Sequence, residues 1–155
     1  MKIFISHKQE DALTANQMAN ELRNMNIEYY LDLLDSSIAQ SGKELTNHIR
    51  NNLNSCTDII VVMSNLTLHS QWVPFEIGMA AQIDMPTATF LKEDVSLPDF
   101  LQYWPRLKKS TDIQKYVAAR NDVEREYPSY RAIYESATYQ KRKVERFYDV
   151  LKQKL

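Results

Sequence analysis

Five apolar residues stand in succession at Ile59-Ile60-Val61-Val62-Met63, with no polar side chain set aside for one face of a pleat. A strand with one wet face alternates, so this run predicts a strand buried on both sides, at the centre of a parallel sheet. Such a sheet needs helices on both faces and crossover connections between its strands. The flanking sequence supplies them. Lys2-Ile3-Phe4-Ile5-Ser6 reads as a first strand, and Ile27-Glu28-Tyr29-Tyr30-Leu31 as a second. Between them Ala12, Ala15, Met18, Ala19, Leu22 and Met25 recur at helical spacing.

Residues 32–40 read as a loop, and Ser41-Gly42-Lys43-Glu44 matches a capping box opening a helix with Leu45, Ile49, Leu53 and Cys56 on one face. Beyond the central strand come a polar loop at 64–70, a helix over 71–83 and a fourth strand at Thr87-Ala88-Thr89-Phe90-Leu91. A short fifth strand fits within Tyr103–Leu107, and helices fit Asp112–Val123 and Tyr139–Leu155. The expected class is α/β, a flavodoxin-like, doubly wound and mainly parallel five-stranded sheet of order 2-1-3-4-5 with an extra C-terminal helix.

Composition narrows the function. With 19 basic and 20 acidic side chains the chain carries a net charge of −1, which offers nothing to a general polyanion partner, so nucleic acid is not expected. Two glycines leave no Walker A or GxGxxG phosphate loop. One cysteine excludes an internal disulfide framework, and no stretch approaches the roughly 20 apolar residues that span a bilayer. The apolar start turns polar at Ser6-His7-Lys8, too soon for a signal peptide. A soluble, cytoplasmic protein without membrane contact is the expectation.

Ligands of open α/β sheets bind beyond the carboxyl ends of the strands, where strand order reverses. For the order 2-1-3-4-5 that point lies between strands one and three. Ser6 and His7 follow the first, the loop 64–70 follows the third, and the next helix carries Trp72 and Glu76. Four residues apart on a helix, these two share a face one turn apart. An aromatic plane beside a carboxylate suits a substrate with a flat, cationic leaving group, of which a nicotinamide–ribose bond is one case. The carboxylate can stabilise an oxocarbenium-like ribose, orient its hydroxyls or act as nucleophile. The helix dipole favours its ionised form, and burial opposes it.

These residues also carry a family likeness. The chain resembles TIR (Toll/interleukin-1 receptor) domains, in particular the bacterial stand-alone type found in Thoeris antiphage defence. Lys2 to His7 with Asp11 looks like the first family box. Tyr30-Leu31-Asp32 followed by Gly42 is similar to the second strand and its BB loop, without the Pro-Gly of many relatives. Ser55–Met63 with Ser64, Ser70, Trp72 and Glu76 looks like the segment bearing the Ser-x-Trp-x-x-x-Glu signature. The resemblance covers residues 1–120, leaving 121–155 as a C-terminal helical extension packed on the same domain.

It implies cleavage of NAD+ at the nicotinamide–ribose bond, releasing nicotinamide and a linear or cyclic ADP-ribose signal that reaches an effector protein. NAD+ is the substrate, and no separate cofactor or metal is implied. Glu76 becomes the catalytic residue and Trp72 shapes the pocket. Phe4, Ser6 and His7 line the cleft floor, and the 33–43 loop, with Ser36, gates it and contributes to substrate binding. Self-association through TIR–TIR contacts is implied as well.

Plainer readings stand beside these. Trp72 can pack under the sheet edge and Glu76 can be a solvated helix residue. Ser6, His7 and Asp11 invite a hydrolase triad, but adjacent strand residues point to opposite sides, and Asp11 reads as the start of the first helix. His48 and His69 lack metal-ligand spacing. Cys56 reads as core, and Lys141-Arg142-Lys143 with Arg146 as a solvated helix face. Alternatives to the NAD+ reading are a non-catalytic TIR–TIR interaction module and a nucleoside-processing transferase.

Overall fold

The computed structural model describes residues 1–31, 42–92, 95–127 and 137–155. The central apolar run is strand β3, Asp58–Met63, and every one of its residues is buried. It lies between β1, Lys2–Ser6, and β4, Thr87–Leu91. β2, Glu28–Leu31, pairs with the outer side of β1, and the two-residue β5, Arg106–Leu107, with the outer side of β4. The order is β2-β1-β3-β4-β5, as expected, and every pairing is parallel. The register sets Phe4 beside Ile59 and Ser6 beside Val61.

Five α-helices among the described residues cover the sheet. These are α1 (Ala12–Asn24), α2 (Gly42–Asn54), α3 (Trp72–Gln82), α4 (Asp112–Glu126) and α5 (Ala137–Lys154). Alternation along the strands divides the core. Ile3, Ile5, Ile60 and Val62 face Met18 and Leu22 of α1, Ile113 and Tyr116 of α4, and Phe147 and Leu151 of α5. Phe4, Ile59, Val61 and Met63 face Leu53 of α2 and Val73, Ile77 and Ala80 of α3, with Cys56 buried among them. Ser41, the expected cap of α2, lies outside the described residues. No described helix is long and apolar enough to cross a membrane.

Helices α1 and α3 end alike, and the endings explain how the chain manages with so few glycines. After α1 the Asn26 N–H donates to the Arg23 carbonyl at 3.0 Å and the Ile27 N–H to that of Leu22 at 2.9 Å. After α3 the Asp84 N–H donates to Ala81 at 3.2 Å and the Met85 N–H to Ala80 at 3.0 Å. This is the Schellman pattern, which needs a left-handed residue. Asn26 (φ 56°) and Asp84 (φ 49°) take the place usually given to glycine, being the side chains that tolerate it best.

Helix α5 completes the core on its side. The Phe147 ring meets Tyr116 edge-on at 5.0 Å, and the Tyr148 hydroxyl accepts the Thr87 N–H at 3.1 Å. The basic residues of α5 are not simply a solvated face. Lys143 is bound to Glu124 at 2.8 Å, Arg146 to Glu126 at 3.0 Å and Lys154 to Asp122 at 2.9 Å, forming a seam with α4. Their acids sit on a different helix, beyond the reach of spacing arguments.

At the amino-terminal edge of the sheet, Asp58 is wholly buried. Its carboxylate accepts the Tyr116 hydroxyl at 2.8 Å, Arg120 Nε at 2.6 Å and the Thr57 hydroxyl at 2.6 Å. Burial first, and then the Asp58 charge, push the Tyr116 phenol well above its usual range, so it remains a donor. Replacing Arg120 with Met strands a buried charge, and a loss of about 3–5 kcal/mol is expected in urea unfolding.

Candidate functional site

Strand β1 ends on the α3 side of the sheet with Ser6, which is wholly buried. Its hydroxyl donates to a carboxylate oxygen of Glu76, joining the carboxyl end of β1 to α3. Glu76 is only 1% exposed, so the plain reading of a solvated helix residue does not hold. Trp72, one turn earlier on α3, is half-buried, and its ring meets Phe75 edge-on at 5.9 Å.

Beside this pair lies a cavity of about 330 Å³ at the carboxyl ends of β1 and β3, where the topology calls for a ligand. One wall is His7, Lys8, Gln9 and Glu10, which leave β1 and enter a 3-10 turn at Gln9–Asp11. The other is His69 to Val73, which runs from a second 3-10 turn at Thr67–His69 into α3. Glu76 also lines the cavity. A larger hollow of about 570 Å³ opens at the opposite edge of the sheet, where Arg120 is bound to Asp58 and Lys143 to Glu124.

Of the residues singled out in the sequence, His7, His69, Ser70, Trp72 and Glu76 meet at the cavity. Ser6 reaches it only through Glu76 and is covered itself. Phe4 lies deeper, buried two residues behind Ser6, its ring tilted against Tyr30 at 5.3 Å. His7 is buried, with Nδ1 3.4 Å from the Ile5 carbonyl. Ser36, and the loop assigned to gating up to residue 41, lie outside the described residues. Among the described residues no group of three or more His, Cys, Asp or Glu could hold a metal ion.

Sequence reasoning missed what anchors the two walls. Asp11 does precede α1, yet its side chain caps nothing there. Its carboxylate crosses to the far wall, where it accepts the hydroxyls of Ser64 and Thr67 at 2.5 Å, and Lys92 Nζ lies 3.3 Å away. Burial by itself would raise this carboxyl. The bonds from Ser64, Thr67 and Lys92 outweigh it and hold the group below the usual carboxylate value. Lys8, Gln9 and Glu10 also went unmarked, although the rule that ligands gather beyond strand ends points to the residues after β1.

A sequence model of the TIR domain family matches residues 3–126. The chain belongs to the TIR domain family. Solved structures agree with that membership at the level of the fold. The TIR domain of the Toll-related receptor TRR-2 from Hydra magnipapillata superposes with a TM-score of 0.59 at 17% identity, over 79% of this chain and 95% of that one. A 2-deoxyribosyltransferase from Bacillus psychrosaccharolyticus gives 0.60 at 11% identity, over 74% of this chain and 90% of that one. At such identities the likeness concerns the fold alone. No curated protein sequence matches closely enough to count as a relative. The TIR match ends at the close of α4, so α5 lies beyond it.

The depressed Asp11 carboxyl has a consequence for stability. A group whose folded pKa lies below its unfolded value of about 3.9 stabilises fully above that value and loses its contribution as the pH falls through the folded pKa. Urea unfolding from about pH 5 to pH 3 is therefore expected to show a smaller loss of stability in Asp11→Asn than in wild type.

Proposed function

We propose that this TIR domain cleaves NAD+ at the nicotinamide–ribose bond, with Glu76 as the catalytic carboxylate. One observation carries the reading: a carboxylate 1% exposed lines a cavity of about 330 Å³ beyond the central strands, with an indole one helical turn away. A buried acid is costly to keep unless function or structure uses it. The cavity falls near the lower end of ligand pockets, about 300–1,000 Å³, and suits the nicotinamide riboside half of the substrate.

In this reading Trp72 supplies a flat wall for the nicotinamide ring. The glycosidic bond breaks with its electron pair passing to the ring nitrogen, so nicotinamide leaves neutral. Positive charge gathers at the ribose carbon, where Glu76 stabilises it. Ser6 holds the Glu76 carboxylate in place through its hydroxyl. Water then adds to the ribose carbon and loses a proton to give ADP-ribose, or a nucleophile within the same molecule closes a ring. Lys8, whose ammonium pairs with Glu10 at 2.9 Å at the cavity wall, is the cation we assign to the pyrophosphate, which takes the place of Glu10. NAD+ is consumed as substrate, so no further cofactor takes part.

The resemblance to stand-alone TIR domains is the ground for the wider role we assign: a nucleotide signal in prokaryotic antiphage defence, made by self-associated TIR domains in the cytoplasm and read by an effector protein. The enzymatic reading is tested first. Purified protein, at high concentration or assembled, should release nicotinamide from NAD+ by chromatography and mass spectrometry. Glu76→Gln should lower kcat at least about 100-fold. Equal release by wild type and Glu76→Gln ends the reading. Turnover of deoxynucleosides in place of NAD+ would make the protein a transferase, and no turnover in any assembly state would leave an interaction module. Trp72→Ala should raise the KM for NAD+ about tenfold, with Trp72→Phe closer to wild type.

A further inference from the structure

Asp11 is 0% exposed and does not line the cavity, yet both cavity walls are attached to it. On the near side it closes the 3-10 turn after β1, its N–H donating to the Lys8 carbonyl at 2.8 Å, so His7 to Glu10 immediately precede it. On the far side Oδ2 receives the Ser64 and Thr67 hydroxyls together. From there a chain of bonds runs on to α3. The Ser64 hydroxyl oxygen accepts the Leu66 and Thr67 N–H groups at 3.2 Å. The Thr67 carbonyl accepts the Ser70 N–H at 2.9 Å, and the Ser70 hydroxyl oxygen accepts the Val73 N–H at 3.3 Å in the first turn of α3. The remaining oxygen, Oδ1, holds Lys92 just past β4.

We propose that Asp11 is a positioning residue that sets the separation of the two cavity walls, and with it the seating of a ligand between Trp72 and Glu76. The chemistry of the side chain matches this task. Two hydroxyls share one oxygen while an ammonium takes the other, and a carboxylate accepts at both. An amide retains the two hydroxyl bonds through its oxygen but turns its NH2 on Lys92. Alanine keeps the backbone bond to Lys8 but removes every side-chain tie and leaves two buried hydroxyls without their acceptor. A graded series follows: wild type, then Asn, then Ala.

The kinetic part of the test rests on the NAD+ reading, and the spectroscopic part does not. Protein labelled with 5-fluorotryptophan has two fluorine signals, from Trp72 in the wall and Trp104 in the core beside α3, assigned with Trp72→Phe. At a temperature where circular dichroism shows each variant folded, Asp11→Ala should shift and broaden the Trp72 signal, Asp11→Asn should shift it less, and Trp104 should stay in place. With NAD+, kcat should fall about 10- to 100-fold in Asp11→Ala, with partial recovery in Asp11→Asn. Should Asp11→Ala fail to fold, Thr67→Val removes a single tie and should move Trp72 in the same direction by less. An unmoved Trp72 signal in the folded variants overturns the proposal, as does an equal movement of Trp104. Absence of nicotinamide release in wild type would overturn the NAD+ reading alone, because the fluorine signals still decide the role of Asp11.

Discussion

A sheet covered on both faces leaves polar side chains one place to gather, at the ends of its strands. β3 sets that constraint, since all six of its residues are buried and each neighbour pairs with it in parallel. At the amino-terminal edge the polar groups form a closed set: Asp58 is satisfied by Thr57, Tyr116 and Arg120. At the carboxyl edge Ser6, Asp11, Ser64, Thr67 and Glu76 are buried as well; Glu76 lines the hollow there, and the other four are hydrogen-bonded behind it and its walls. The two edges show the difference between polar burial that locks a fold and polar burial that frames a site.

Two hydrogen-bonded ties organise the framed edge, and they act at different depths. The Ser6–Glu76 tie joins a strand end to a helix and fixes the carboxylate itself. The Asp11 tie joins two turns and governs the space in front of that carboxylate. Neither tie would hold if the elements it joins were free to slide, and the β1–β3 register, with Ser6 beside Val61, keeps them from sliding.

The double-sided burial of β3 is legible in the sequence because its apolar run does not alternate, and the shared face of Trp72 and Glu76 because four residues make about one helical turn. The strand order is legible because strands and helices succeed one another as a doubly wound sheet requires. β4 is read to the residue, since Pro86 marks its start and its apolar run is short. The short fifth strand falls within the stretch expected, at Arg106–Leu107, while Trp104 just before it is buried against the α3 side. Asp11 could not be read. Its partners lie 53, 56 and 81 positions away, and an acid before an apolar stripe looks like any helix start. The same distance blindness hid the acids that neutralise Lys143 and Arg146.

Helix α5 gives the fold a hidden dependence on sequence outside its family boundary. Phe147 seals Tyr116, the Arg120 guanidinium lies 5.3 Å from the centre of the Phe147 ring, and the Tyr148 hydroxyl takes a backbone donor at the start of β4. A chain trimmed to the end of the TIR match would bare this apolar patch together with the most buried ion pair among the described residues, Arg120–Asp58. Such a fragment invites clumping for reasons unrelated to any biological assembly, so self-association seen in trimmed protein would say little about how the intact chain behaves.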